Sequence, residues 1–438
     1  MGVALAAEPG SMKTLHLTNA WHPTSGGIGT MYKAIFEAAN RAGHFMRLVV
    51  PSDRTRVEKF GDCGLVYHLQ SPRAPFDPDY RVLYPTRFLF PRTALRRILD
   101  SEQPDLVEVS DKYTMPYLAG LLRTRRLPGA RFRPTTVGLS CERMDENMSA
   151  YLAGGTAARR FCRWYMKSIY FPMFDHHITV SDHTAAELIE ASRGHKVQRG
   201  VWVEPMGVDT GLFTPARKST EVRSRLLASV PGDADRAILL YAGRLAPEKN
   251  LPLLLETMRL LDPRSFLLCI AGDGLQLDTL RRDCERDRLS HVSFLGHIAD
   301  RELLAAYYAS ADVFLHPNPR EPFGIAPLEA MSAGLALVAP NAGGVTSYAN
   351  SGNAWLVEPT AAAFAAAVRE IQASPELATR RTAQARITAE EFRWSNTAAR
   401  YLRLYREIHE LTQGRSKDLT IAARTYSTPG NSWGREIA

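Results

Sequence analysis

Residues Arg320 to Gly344, REPFGIAPLEAMSAGLALVAPNAGG, join a carboxylate, a glycine turn and a helix start. Glu321 precedes Pro322, Phe323 and Gly324, and Glu329 follows eight positions later on a helix that the pattern predicts over Ile325 to Ala333. The first N–H groups of a helix have no partner in their own ladder and favour an anion, for which phosphate is the natural guest. Those of Ile325, Ala326 and Leu328 are available, whereas Pro327 has none. Eight residues of unbroken helix rise ~12 Å, too far for the acid and base of a glycosidase, whose carboxylates sit ~5 to 9.5 Å apart. The spacing fits a long phosphate-bearing ligand, held at one end by Glu321 and at the other by Glu329. A strand, turn and helix with two solvated glutamates is the plainer reading, and the other motifs decide between them.

Upstream, the strand Ile238 to Ala242 ends in Gly243 and Arg244, and Lys249 opens the next helix. Two cations thus reach the carboxyl edge of a sheet, where a diphosphate would sit. Gly272, Asp273 and Gly274 follow another strand in a tight turn, as do Gly296, His297 and Ile298. In the first half, SGGIGTMYKAIFEAANRAGH follows the first strand, and Gly26, Gly27 and Gly29 open a helix so that backbone can approach a ligand closely. This loop lacks a Walker lysine and falls short of the GxGxxG dinucleotide fingerprint.

Short apolar strands alternating with helices must position these residues. Strands are predicted near Thr14 to Leu17, Met46 to Val50, Leu65 to His68, Leu106 to Val109, Thr135 to Leu139, His177 to Val180 and Val201 to Glu204. A second series runs through Ala237 to Ala242, Phe266 to Ala271, Val292 to Leu295, Val313 to Leu315, Leu335 to Val338 and Trp355 to Val357. The fold class is therefore α/β, with two doubly wound parallel sheets and ligands expected in a cleft between them. The polar stretch Thr214 to Arg236 marks the break. The divisions expected are an extension over 1–11, a first domain over 12–214, a second over 215–394, a helix over 395–413 and a mobile tail over 414–438.

The Glu321 stretch resembles the donor-binding motif of retaining glycosyltransferases of the GT-B fold, in particular family 4. YAGRLAPEKNLPLLLETM, IAGDG and VSFLGHI are similar to the family's donor-site series in the expected order, and the likeness extends roughly from Lys13 to Leu411. The resemblance implies two Rossmann-like domains with a nucleotide sugar in the cleft. It implies that Arg244 and Lys249 neutralise the leaving diphosphate and that Gly296 to Ile298 recognise the base. It further implies that Glu329 binds the ribose hydroxyls, that Glu321 lies beside the donor sugar, and that the Gly26 to Gly29 loop serves donor phosphate and acceptor. The helix at Asn396 to Leu411 resembles the family's last helix, which crosses back to the first domain. One departure stands out: GLSCERMDEN places Cys141 where family members commonly carry a histidine that reaches the sugar. Cys141 is expected to line the pocket at most. His22, His176 and His177 lie near it in sequence order only. Asp77 to Asp111 looks somewhat like bacterial mannosyltransferases acting on phosphatidylinositol-type lipids, which tilts the donor toward GDP-mannose over UDP-hexoses. The implied reaction is a front-face displacement in which the leaving phosphate takes the acceptor proton.

Composition is consistent with this. The chain has 438 residues, 45% hydrophobic and 23% charged, enough for two cores. No apolar run approaches the ~20 residues needed to cross a bilayer, and Met1 to Ser11 lacks the pattern of a secretory signal, so a cytoplasmic location is expected. Cys63, Cys141, Cys162, Cys269 and Cys284 have neither disulfide nor zinc spacing and are expected to be reduced thiols. The net charge of +8 belongs to residues 1–200, with 27 Lys and Arg against 19 Asp and Glu. There, Arg81 to Leu99 and Arg159 to Phe174 interleave cations with large aromatics, a pattern open to peripheral contact with the inner face of an anionic membrane and equally to an ordinary buried helix face. No nucleic-acid module is visible. No cofactor is called for, and no DxD pair stands where a metal-dependent transferase would need it; Asp233 with Asp235 and Asp77 with Asp79 lie in loops. If Arg244, Lys249 and a helix start neutralise the diphosphate, no metal is required. The partners expected are a nucleotide sugar and a lipid or glycan acceptor. The alternatives are a catalytically silent, glycan- or partner-binding relative, a nucleotide-sugar epimerase, a phosphorylase, or a dehydrogenase.

Overall fold

Apolar runs long enough for a strand but without alternation must be covered on both faces, as in a parallel sheet with helices on either side. Phe266–Ala271 (FLLCIA) and Thr135–Ser140 (TTVGLS) are buried at every position. A computed structural model describes residues 12–21, 27–74, 77–151, 156–195, 200–233 and 235–414. Gly26, His22, the 1–11 extension and the tail from 415 onward lie outside the described residues.

In chain order the strands are β1 (Lys13–Leu17), β2 (Phe45–Ser52), β3 (Arg56–Phe60), β4 (Gly64–Gln70), β5 (Arg73–Ala74), β6 (Asp77–Arg81), β7 (Leu106–Val109), β8 (Thr135–Ser140), β9 (His176–Thr179) and β10 (Val201–Val203). They continue as β11 (Ala237–Ala242), β12 (Phe266–Ala271), β13 (Val292–Gly296), β14 (Val313–Leu315), β15 (Ala336–Pro340) and β16 (Trp355–Val357). One sheet runs β10-β9-β8-β7-β1-β2-β4-β3 and the other β13-β12-β11-β14-β15-β16. Every pairing in the second sheet is parallel. In the first sheet the edge strand β3 pairs antiparallel with β4, Arg56 opposite His68 through Phe60 opposite Gly64. The sequence reading missed β3 because its RVEKF is almost wholly exposed and carries no buried run. It missed the short β5–β6 hairpin as well.

The described residues form two compact units, one from the ranges 12–145, 156–205 and 394–414 and the other from 146–151 and 206–393. The break after the first sheet falls at Pro205 and Met206, nine residues before the expected one at Thr214, because the intervening residues are tied into the second unit. There Val208 N donates to Phe392 O at 2.8 Å and Ser332 Oγ to Phe213 O at 2.6 Å. Phe213 also meets Tyr308 edge-on, with ring centroids 5.2 Å apart.

The last helix, Trp394–Thr412, belongs to the first unit, and its sequence shows why. Trp394, Ala398, Tyr401, Leu402, Tyr405 and Ile408 recur at helical spacing on one buried face. Two of them carry hydroxyls that must find acceptors. Tyr401 donates to Glu204 O at 2.8 Å, and Tyr405 donates to the fully buried Glu108 on β7. Glu108 also accepts from Tyr32 at 2.9 Å and contacts His16 Nδ1 on β1 at 2.9 Å. One carboxyl group thus joins two strands, the helix Gly27–Arg41 and the last helix. Tyr405→Phe should lower stability by about 1 to 3 kcal/mol, since it strips a partner from a buried carboxyl while leaving packing intact. Chemical denaturation measures this, and an unchanged midpoint would show that Glu108 does not hold the helix.

Candidate functional site

In the second unit the candidate residues gather at the carboxyl ends of β11, β12, β13 and β14, where open parallel sheets place their ligand-binding turns. Gly243, directly after β11, donates its N–H to Ala271 O at 3.0 Å. Gly272 then passes so close that a Cβ there would lie 1.9 Å from Gly243 O, which excludes every other residue. Asp273 and Gly274 are exposed, with Asp273 Oδ1 accepting from Gly274 N at 2.7 Å. His297 is exposed on the turn after β13, and Ile298 beside it is half-buried.

Lys249 does not open a helix as expected. It closes a short 3-10 turn, Pro247–Lys249, and the left-handed Asn250 follows (φ 55°) before the helix Pro252–Arg259. That turn delivers Lys249 Nζ to Glu321 Oε2 at 2.8 Å. Asn318 Nδ2 donates to the same oxygen at 3.2 Å, and Asn250 Nδ2 donates to Pro317 O at 3.0 Å. Of Arg244, Lys249 and Glu321, the structure therefore brings the last two together. The third, Arg244, is 67% exposed and pairs with Glu248 at 3.2 Å. Burial pushes the Glu321 carboxyl up, but Lys249, His316 and Asn318 outweigh it and bring it to about 2.

The helix Ile325–Ala333 begins where expected, with Gly324 as its N-cap in the left-handed region (φ 91°) and no side chain capping it. Two details differ. Glu321 lies in the turn before the helix, so the rise of eight helical residues does not separate it from Glu329. Leu328 is the fourth helical residue, where the N–H enters the i to i−4 ladder, leaving Ile325 and Ala326 as the free donors. Leu328 and Phe323 are also buried side chains, Phe323 edge-on to Tyr348 at 5.2 Å. Phe323 thus braces the turn with its ring.

Burial pushes the Glu329 carboxyl up to about 7, against the pull of Arg301 and the Tyr308 hydroxyl and with Asp209 adding to the rise. Sequence reasoning passed over Arg301, Tyr308 and Asp209, along with His316, Asn318 and Asn250. The signal for His316 and Asn318 was their place directly after a predicted strand, the same position that singled out Gly243 and Gly272.

In the first unit Gly27 begins the helix Gly27–Arg41 and Gly29 is buried within it. Cys141 directly follows β8, and burial, with Glu108 and Glu142 nearby, pushes its thiol far up, away from thiolate chemistry. Burial also lowers His176 to about 4, and His177 is buried against Phe171, with ring centroids 4.5 Å apart. Lys112, also buried in this unit, pairs with Glu187 at 2.7 Å. All five cysteines are free.

Two family models match the chain: "Glycosyl transferases group 1" over residues 223–388 and "Glycosyl transferase 4-like domain" over residues 26–201. The chain is 29% identical over 397 residues to a GDP-mannose-dependent alpha-(1-6)-phosphatidylinositol dimannoside mannosyltransferase of Mycobacterium tuberculosis, covering 89% of this chain and 95% of that one. It is 26% identical over 339 residues to a GDP-mannose-dependent alpha-mannosyltransferase of Mycolicibacterium smegmatis, covering 76% of this chain and 80% of that one. Among solved structures, a sucrose-phosphate synthase from Thermosynechococcus elongatus superposes with a TM-score of 0.72 at 20% identity, over 91% of this chain and all of that one; it shares the fold.

A carboxyl raised to about 7 in the folded state against 4.5 unfolded costs no stability below about pH 4.5 and its full cost above about pH 7. Glu329→Gln should therefore raise the thermal midpoint at pH 8 by a few degrees and have little effect at pH 5. Equal shifts at both pH values would mean that Glu329 is not held in this state.

Proposed function

Since the chain belongs to the group 1 glycosyltransferases, with a family 4-like domain ahead of the group 1 domain, and is a hexosyltransferase of GT-B architecture, we propose that it moves mannose from GDP-mannose to a hydroxyl of a lipid or glycan with retention of configuration. The observation that carries the chemistry is the joint placement of Lys249, Glu321 and the uncapped start of the helix Ile325–Ala333 at one sheet edge. The likeness to two GDP-mannose-dependent enzymes supports the choice of donor.

In this reading Lys249 and the N–H groups of Ile325 and Ala326 hold the diphosphate. Arg244, exposed beside Glu248, turns to it. As the bond from the anomeric carbon to the phosphate oxygen breaks, negative charge grows on that oxygen, and preorganised cations act most strongly then. The acceptor hydroxyl attacks the anomeric carbon from the same face and gives its proton to the leaving phosphate oxygen. Glu321 orients the sugar, Glu329 accepts from the ribose hydroxyls, and the backbone of Gly296, His297 and Ile298 reads the base. Gly27 and Gly29 approach the phosphate and acceptor, Cys141 lines the pocket, and no divalent ion takes part.

We place the acceptor side at a lipid surface. Phe161 and Trp164 are 50% and 54% exposed on the helix Thr156–Tyr165 and its continuation, among the exposed cations Arg159, Arg160, Arg163 and Lys167. Phe90 and Leu89, exposed beside Arg87 and Arg92, repeat the pattern. No helix among the described residues is long and apolar enough to cross a membrane. Peripheral contact fits these features.

Calorimetric titration with a panel of nucleotides and nucleotide sugars tests the donor. Glu329→Ala should weaken binding of both GDP and GDP-mannose, while Lys249→Ala should depress turnover about a hundredfold at saturating donor, the loss typical of one preorganised partner of a developing charge. Cys141→Ala should cost far less. Turnover should survive EDTA. Full activity of a folded Arg244→Ala, Lys249→Ala double variant, or loss in EDTA restored by magnesium or manganese, overturns this mechanism. For the lipid side, the protein should sediment with anionic vesicles and not with neutral ones, and Phe161→Ser with Trp164→Ser should release it. Equal binding to both vesicle types counts against the assignment.

A further inference from the structure

The turn that carries Glu321 contains one buried polar atom without a partner. His316 directly follows β14 and is 5% exposed. Its Nε2 makes no hydrogen bond, yet lies 3.9 Å from Glu321 Oε2. That oxygen is already engaged by Lys249 and Asn318, at 2.8 and 3.2 Å. The crowding matters once the donor reading above is taken up, because a lysine drawn to a diphosphate is drawn away from Glu321. Glu321, 13% exposed, then loses its cation in a place where water is a poor substitute.

Resting on that reading, we propose that His316 is a positioning residue: as Lys249 turns to the diphosphate, the imidazole closes the 3.9 Å gap and donates Nε2–H to Glu321, keeping the carboxylate ionised and aimed at the sugar. Closing the gap needs a shift of about 1 Å to reach ordinary hydrogen-bond length. Burial lowers His316 to about 4, with the help of Lys249 and against the pull of Glu321 and of a hydrogen bond to the Asn318 backbone, so the ring is neutral at working pH and its one N–H passes from that backbone to Glu321 as the gap closes. It therefore offers a hydrogen bond without a second positive charge competing for the phosphate. The other titratable groups facing Glu321 are Tyr241 and Tyr348, whose hydroxyls burial raises above their ordinary range, so that neither ionises in the assay range. Tyr241 donates to Arg244 O and Tyr348 to Gly324 O, which leaves His316 as the group able to take over from Lys249.

The variants His316→Phe and His316→Gln separate this role from simple packing. With saturating GDP-mannose, His316→Phe should lower kcat about tenfold at pH 6 and recover toward the wild-type value at pH 8.5, because a carboxylate stripped of a donor needs higher pH to ionise. GDP affinity should stay within about twofold, since the nucleotide end is untouched. His316→Gln, which can still donate, should restore most of kcat and flatten the pH profile. If phenylalanine is not tolerated in the fold, His316→Met carries the same comparison. In the wild type, nitrogen-15 spectra of the imidazole should show the proton on Nε2 when GDP is bound. Wild-type kcat in the Phe and Met variants at both pH values, a glutamine variant no better than phenylalanine, or a GDP-bound ring with the proton on Nδ1 each overturns the inference. The donor reading stands in all of those cases if GDP still binds; absence of GDP and GDP-mannose binding in the wild type removes both.

Discussion

A carboxylate removed from water must be matched by donors close at hand, and in the second unit Glu321 imposes that requirement on the turns after β11 and β14. Lys249 comes from the turn after β11 and Asn318 from the turn after β14, while Gly344 N donates to the Glu321 carbonyl from the segment after β15. Loss of one member of such a partly buried pair typically costs a few kcal/mol, because the remaining charge stays where water cannot solvate it. The same constraint explains why the turns are rich in residues with little freedom: Asn250 is left-handed and bonded to Pro317, and Gly272 lies against Gly243 without room for a side chain.

The first unit contains a carboxyl group at least as deeply buried, and its surroundings are of another kind. Glu108 is matched by the phenols of Tyr32 and Tyr405 and by the ring of His16, all fully buried, with no lysine or arginine among these partners. Such a cluster holds helices on a sheet. Burial of an acidic residue is therefore not itself a mark of a site. What distinguishes Glu321 is a cation that can serve two anions and a neighbouring helix start with free N–H groups.

Glu329 shows a third solution. Its charge is opposed by burial and only partly supported by Arg301 and Tyr308, so the carboxyl sits near 7. A group in that condition gains from any donor that approaches it, and whatever binds there becomes tied to the proton. Two glutamates eight positions apart in one motif thus carry opposite shifts, because one has a lysine and the other does not.

Most of the architecture was legible in the residues. Strands such as Leu106–Val109, Ala237–Ala242 and Val313–Leu315 lie where their largely apolar runs place them, since a strand buried on both faces draws most of its residues from the apolar types. The helix start at Ile325 follows from Gly324 and Pro327, and Gly272 and Gly274 marked tight turns. What escaped were features without an apolar signal or a local cause. The edge strand β3 is exposed and gains its place from β4 alone, and residues 206–214 go with the second unit because Phe213 finds its partners there. Sequence also supplied both Lys249 and Glu321, 72 positions apart, but not their contact, nor the orientation that leaves Arg244 on Glu248. Residue type and local spacing determine which groups exist and which turns can form. Only the packing of the parallel strands decides which of those turns meet, and hence which charges are buried together, because burial depends on neighbours that are remote in the chain.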